Sequence, residues 1–551
     1  MACIQTRRTE TSGRTTPAPW RAAVAAGCMA LGLVGAGADV AAQGPGKTLG
    51  KAPSNNVAWL PAAADADVDL AFAQARAQGK PLLLYWGATW CPPCNQLKAT
   101  LFNRQDFATL SRSFVAVHVD GDRPGAQRLG TRFKVSGYPT LVLFTPRGQE
   151  ITRLPGEADA PQVMAALQQG LASGRPAQAV LDDALAGRNL PANDWRMLAF
   201  YSWETGEEQL VPRADLAATL VRLATASPAA DTETGTRLWL KALAASDDGK
   251  GIQPDATLRE RVLRVLADPV QARTHMDVLS NGADDIARTL YSADAPGRAQ
   301  LLAAFETALT RLQADATLSR ADRMGALYAR VLLARLDGPK EAVDVQLPQP
   351  LLADVREHVA RADREINDGH ERMAVITFGA ALLARAGLWD ESDALLKGNL
   401  ARSASPYYLM SQLGSNARKR ARDDEALRWY GQAWAQSEGP ATRTQWGASY
   451  ATALLELAPG DTPRVEKTVS QLLKEAGRDG GAFQGRSARQ LQRLGGKLMT
   501  WGASGQPRQA LLRLQAQLAP VCARVAVEQG QRAACQALLV QQAKQAPKQA
   551  A

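Results

Sequence analysis

Pro81-Leu82-Leu83-Leu84-Tyr85-Trp86-Gly87-Ala88-Thr89-Trp90-Cys91-Pro92-Pro93-Cys94 is the stretch that decides the fold of this 551-residue chain. Residues 81–86 are a nearly unbroken apolar run, the pattern of a short strand buried on both faces. The cysteine pair follows where that strand ends, and residues 91–102 read as a helix. That order puts two thiols at a helix N-terminus, where free N–H groups and the helix dipole lower a thiol's pKa. Cys91, first in the pair and nearest the exposed tip, is the expected nucleophile. Cys94, one turn on and less exposed, is placed to resolve a mixed disulfide. Half a zinc site looks the same, but no second Cys-x-x-Cys or His pair follows, and the histidines at 118, 275, 358 and 370 stand far apart. Neither a metal nor a cofactor is expected. A purely structural disulfide is the remaining reading, although so short a loop adds little entropic stabilisation.

The flanks extend this unit. A helix is expected over 68–78, ended by Gly79-Lys80, a second strand over 114–119 and a crossover helix over 125–133. Thr140–Phe144, the turn Thr145-Pro146-Arg147-Gly148 and Glu150–Leu154 read as a β-hairpin, with a closing helix over 161–172. The result is a βαβ unit followed by a hairpin and a helix, an α/β domain over 63–174. Residues 43–62, with Gly44-Pro45-Gly46 and Pro53-Ser54-Asn55-Asn56, read as a flexible leader.

Residues 65–172 resemble a thioredoxin-fold domain, most closely the exported thioredoxin-like modules of disulfide interchange proteins. The matching marks are Trp90-Cys91-Pro92-Pro93-Cys94 after a Leu-rich strand, the strand end Val119-Asp120, and Val135-Ser136-Gly137-Tyr138-Pro139-Thr140 before the hairpin. The resemblance implies thiol–disulfide exchange at Cys91 and Cys94, supported by Trp90, Pro92 and Pro93. It also implies a cis-proline at Pro139 facing the cysteines, with the Tyr138 backbone available to pair with a substrate strand. Two positions depart from the family. Tyr85 stands where thioredoxins carry a buried Asp, and Ala116 where they carry its Lys partner, so the usual proton acceptor for the resolving cysteine is missing. A phenol, with a pKa near 10, replaces it poorly.

After Pro176 the pattern is helical throughout, with typical pieces at 193–202, 216–224, 258–266, 301–312 and 321–336. Only 6% of the chain is aromatic, 46% is hydrophobic and 21% charged, which excludes wholesale disorder and weighs against a β-sandwich. Gly338-Pro339 to Pro348-Gln349-Pro350 divides the helices into regions 175–345 and 351–545. In the second, Glu391 and Glu425 lie 34 residues apart, each at a helix start after a polar turn, which is the tetratricopeptide period. An irregular bundle is the alternative. The run Arg418-Lys419-Arg420, with Arg422, reads as a solvated face. Trp195, Trp203, Trp239, Trp389, Trp429, Trp434 and Trp446 read as packing anchors. Cys522 and Cys535 are too far apart to bond along one helix, but a hairpin turned at Gly530 brings them together as a structural disulfide; two free buried thiols are the alternative.

The N-terminus reads as an address. Four arginines precede a small-residue apolar run from Ala22 to Val34, and Val40-Ala41-Ala42 offers a cleavage site, so residues 1–42 are expected to be a signal peptide rather than an anchor. The expected location is the periplasm, in soluble form, where disulfides persist. The formal charge of +10 is scattered along the chain and implies no nucleic acid. The expected protein is an exported thiol–disulfide oxidoreductase, reducing or exchanging disulfides in exported client proteins, with a helical region that binds a partner. As a reductant it needs a membrane electron donor. The rival is a helical-repeat scaffold that carries a thioredoxin-like module for structure alone.

Overall fold

The computed structural model describes residues 57–540, apart from 136, 155–157, 204–209, 247–248, 340–341 and 526–529. The expected signal peptide, most of the leader and the tail from 541 lie outside the described residues. Among them, five strands form one sheet: β1 (Leu60–Ala62), β2 (Leu82–Gly87), β3 (Val115–Asp120), β4 (Thr140–Phe144) and β5 (Glu150–Leu154), in the order β1-β3-β2-β4-β5. β1 and β2 run parallel to β3, while β4 is antiparallel to both β2 and β5. β1 corrects the leader reading, which ran to residue 62. Three residues containing a proline show no alternation, and pairing with β3, Leu60 opposite Val117, makes them a strand. Pro61 is tolerated there because β1 is an edge.

β2 is buried along its whole length. Successive side chains point to opposite faces of the sheet. Leu82, Leu84 and Trp86 join the cluster of Val68, Phe72 and Ala75 from the helix Asp65–Gln78. Leu83 and Tyr85 join Leu97, Leu101, Phe107 and Leu167 on the other face. The helix after the cysteines runs over Pro92–Leu97 and widens into a π turn at Lys98–Phe102.

The rest is helical, with helices at Ala192–Phe200, Leu216–Ala226, Ala256–Ala267, Arg298–Ala314 and Arg320–Ala334 in place of the expected pieces, the first and last ending two residues before the expected 202 and 336. The two expected boundaries are boundaries of chain, not of packing. The helix Ala160–Ser173 ends at Gly174, whose φ of 64° is left-handed, yet Ala177, Val180 and Leu181 belong to the same apolar cluster as Leu83 and Leu167. Likewise Met324 and Leu327, before the break at 338–350, share a core with Val355, Val375 and Leu382 after it. Gly and Pro stop a helix, but the apolar faces on either side still have to bury one another.

Glu391 and Glu425 lie in the first turns of the helices Trp389–Asn399 and Asp423–Gln436, in a run of short-looped helices. Arg418, Arg420 and Arg422 pair with Glu456, Asp390 and Glu425; Arg418 and Arg422 are exposed as a solvated face would be, while the Arg420 side chain is only 16% exposed. No helix among the described residues is long and apolar enough to cross a membrane. Cys522, in the helix Gly505–Arg524, is bonded to Cys535, in Gln531–Ala537, with Cα atoms 5.5 Å apart. Both sulfurs are buried, and Gly530 starts the second helix with φ of 74°. Closing a loop of this size is worth about 3 kcal/mol in the chain-entropy picture. The Cys522→Ala/Cys535→Ala variant is therefore expected to lose about that much local stability, read as faster hydrogen exchange in the helices at 505–524 and 531–537 while the sheet is unchanged.

Candidate active site

Cys91 is the N-cap of the helix Pro92–Leu97, and its Sγ accepts the Cys94 backbone N–H at 3.1 Å. Pro92 and Pro93 occupy the first two helical positions and have no N–H, so Cys94 supplies the first donor of that turn. Cys91 and Cys94 are joined as a disulfide, Cα atoms 5.2 Å apart. The Tyr138–Pro139 peptide bond is cis, and Tyr138 packs edge-on to Trp90 with ring centroids 5.7 Å apart. Asn95 ties the turn together: its Nδ2 donates to the carbonyls of Thr89 (2.8 Å) and Cys91 (2.9 Å). Its Oδ1 meets His370 Nδ1 at 2.6 Å, which makes that nitrogen the donor.

The cysteines are not at an exposed tip. Cys91 is 2% exposed and Cys94 0%. The expectation of an exposed Cys91 assumed a free thioredoxin-like domain, and here the helices cover the turn. Trp90 shows how. Its indole Nε1–H lies 2.7 Å from Asp122 Oδ2, on the sheet side, and 2.6 Å from Thr442 Oγ1, in the helix Pro440–Leu457. Its ring stacks on Tyr408, with centroids 5.9 Å apart, and meets Trp446 edge-on at 6.0 Å. The Arg486 guanidinium lies 5.0 Å from the ring centroids of both Trp90 and Tyr138. Gly439, with φ of 81°, precedes this helix and approaches Asp122 so closely that a Cβ would stand 2.9 Å from that of Asp122. From the other side, Gln96 Nε2 donates to Ser319 Oγ at 2.7 Å.

Two cavities flank the turn and share Pro92, Pro93, Gly137, Tyr138 and Tyr408 in their walls. The larger, about 580 Å³, is mostly apolar and includes Pro139, Phe378, Asp159 and Asp322. The smaller, about 430 Å³, is the one that Cys91 and Trp90 line, opposite Arg486, Arg489 and Arg493. Beneath the turn, Tyr85 stacks on His118 at 4.8 Å, and its buried hydroxyl has no hydrogen-bond partner among the described residues. Burial, with the Asp120 charge adding to it, pushes that phenol well above its usual range, so it stays protonated. Burial also lowers Lys98 and His118. Sequence reasoning missed Asn95, Asp122, Tyr408, Thr442 and Arg486, and read Trp446 as an anchor without a site.

Asp122 is raised to about 6: burial dominates, and the hydrogen bonds from Thr442 and Trp90 oppose it only in part. A carboxyl whose folded pKa lies above its unfolded value near 3.9 binds its proton more tightly in the fold. Its contribution to stability is thus greatest at low pH and is lost as the pH rises from the unfolded value through about 6. Because the carboxylate touches the Trp90 indole, tryptophan fluorescence is expected to titrate with a midpoint about 6. Asp122→Asn should abolish that step; Asp322→Asn, which removes a second buried carboxyl raised to about 6, should leave it.

A family model described as a thioredoxin-like domain matches residues 68–171. The thiol:disulfide interchange protein DsbD 2 of Pseudomonas aeruginosa is 32% identical over 154 residues, which are 25% of this chain and 26% of that protein. DsbD of Yersinia pestis is 33% identical over 98 residues, 17% of this chain and 16% of that protein. The chain thus spans about a quarter or less of the length of these interchange proteins. A thioredoxin-like protein of Synechocystis, slr0233, is 35% identical over 89 residues, which are 16% of this chain but 80% of that smaller protein. With the sheet order and the Cys-x-x-Cys at a helix start, these matches show that the chain belongs, through residues 68–171, to the thioredoxin-like family.

Proposed function

We propose that this protein is an exported thiol–disulfide oxidoreductase that reduces or exchanges disulfides through Cys91 and Cys94. The observation that carries the reading is the Cys91 sulfur capping a helix and bonded to Cys94, in a cavity that Tyr138 also lines. In the reduced protein, the Cys91 thiolate attacks one sulfur of a client disulfide; a mixed disulfide forms and the other client sulfur leaves as a thiolate that takes up a proton. The Cys94 thiolate then attacks Cys91 Sγ, the mixed disulfide breaks, and the second client thiol departs. Two electrons pass to the client, and the protein is left as the Cys91–Cys94 disulfide of this structure. A dithiol donor at the membrane restores it by the same steps in reverse. Export rests on the signal-like residues 1–42 and on the disulfide between Cys522 and Cys535, which suits an oxidising compartment.

The burial of Cys91 favours a second reading, a helical scaffold with a fixed thioredoxin-like module. Trapping separates the two. Cys94→Ala is expected to accumulate mixed disulfides with client proteins, and Cys91→Ala to accumulate none. A protein whose Cys91–Cys94 bond resists excess dithiothreitol and traps nothing is a scaffold.

In the first reading the helices act as a cover that decides which disulfides reach Cys91. Cutting the chain at Gly174 is a poor probe of this, since the sheet shares its core with the helices beyond. Removing one piece of the cover is cleaner. Tyr408→Ala, which takes away the ring stacked on Trp90, is expected to speed alkylation of reduced Cys91 by about tenfold, because thiol reactivity follows access as well as thiolate content. An unchanged rate would show that the helices do not gate the thiol.

A further inference from the structure

Cys91 lines only one of the two flanking cavities, and that cavity is basic. Arg486, Arg489 and Arg493 stand three and four positions apart on the helix Gly485–Trp501, with Gln490 next to Arg489, so one helical face looks across the space at Cys91, while Leu491, Leu494 and Leu498 are buried in the core. The lining holds no Asp or Glu. Arg486 is half-buried between Trp90 and Tyr138 and, among the described residues, has no carboxylate within ion-pairing distance. Burial lowers its pKa, and Asp122 and the two tyrosines offset this only in part. The cavity on the other side has no Lys, Arg or His in its wall; its two acids are Asp159, ion-paired with Arg273, and Asp322, which burial raises to about 6.

Arg489 has partners of its own, the Val135 carbonyl at 3.5 Å among them, but a guanidinium carries five N–H donors, and guanidinium groups recognise carboxylates by paired hydrogen bonds. We infer that the Arg486–Arg489–Arg493 face is a binding site for the carboxylate-bearing part of the disulfide substrate, so that Cys91 acts on acidic disulfides in preference to neutral or basic ones. This rests on the oxidoreductase reading for the word substrate, but the anion site itself does not. A cavity of about 430 Å³ holds a small acidic disulfide or the acidic residues beside a client cystine, and not a folded surface. The sulfur reaction is the exchange already written; the arginines take no part in its electron balance.

Binding is measured first, because it needs no turnover. The full-length oxidised protein is titrated calorimetrically with S-methylglutathione, an acidic thioether that cannot exchange. Binding is expected, falling by about tenfold or more in Arg489→Gln/Arg493→Gln and weakening with added salt. Arg493→Glu, on an exposed side chain outside the packing around Trp90, should weaken it as well and guards against a misfolded double variant. Absence of binding to the unaltered protein, or binding indifferent to both variants, overturns the inference. A short unstructured peptide with an S-methylated cysteine between glutamates, used as competitor, separates the sources: displacement more effective than by S-methylglutathione itself assigns the site to client segments, and weaker displacement to small disulfides.

Turnover comes second, with dithiothreitol as donor and oxidised glutathione, hydroxyethyl disulfide and cystamine as acidic, neutral and basic substrates. The ratio of kcat/KM for the acidic over the basic disulfide is expected to exceed about tenfold and to collapse in Arg489→Gln/Arg493→Gln. If all three rates change by the same factor, the arginines act on the Cys91 thiolate and not on the substrate, and the inference fails. If none of the three is reduced while S-methylglutathione still binds, the oxidoreductase reading falls and the anion site stands.

Discussion

Trp90 is the constraint on which the arrangement depends. An indole has one N–H to donate, and here that proton is shared between Asp122, which follows β3, and Thr442, on a helix far along the chain. The ring is held by Tyr408, Trp446, Tyr138 and Arg486, three of which come from the helical part. Aromatic contacts of this kind add about 0.5–1.5 kcal/mol each beyond the area they bury. Since Trp90 directly precedes Cys91, the helical layer is one peptide bond away from the cysteine pair. The sheet and the helices are therefore joined at the Cys-x-x-Cys turn itself and not merely along a distant boundary.

What the sequence revealed follows from the range of the interactions involved. The strand at 82–87, the helix after it and the hairpin at 140–154 are specified by residues next to one another, and their periodicity survives reading in one dimension. The pairing of Cys522 with Cys535 was legible because Gly530 lies between them and only a hairpin brings the two within bonding distance. β1 was not, because three residues make a strand only once β3 lies beside them. The cover over Cys91 was not legible for a different reason. A tryptophan that anchors a core and a tryptophan that anchors a core against the active site look alike in sequence, as Trp446 shows. The arginines at 486, 489 and 493 have a readable spacing, but nothing local says that their helix faces the dithiol.

The departures from the family are easier to understand with the cover in place. Tyr85 replaces a carboxylate with a buried, uncharged phenol stacked on His118, and that exchange avoids the cost of burying an unpaired charge beneath a layer of helices. Asp122 does lie close by, but it is engaged by Trp90 and Thr442, so it serves the junction between the layers.

The same geometry bears on how the Cys91 thiolate is held. Within the thioredoxin-like domain, two prolines strip the helix start of donors and leave the Cys94 N–H on the Cys91 sulfur. The cavity that Cys91 lines also contains three arginines, all from the helical layer. A cation near a thiolate stabilises it and makes the disulfide the stronger oxidant, and the effect is larger where water is excluded. The surroundings of the pair are thus built jointly: the domain that carries the cysteines leaves the turn one backbone donor, and the layer that covers them brings the arginines. The cysteines and the arginines that face them across the cavity come from parts of the chain that share one apolar core, so neither part has these surroundings without the other.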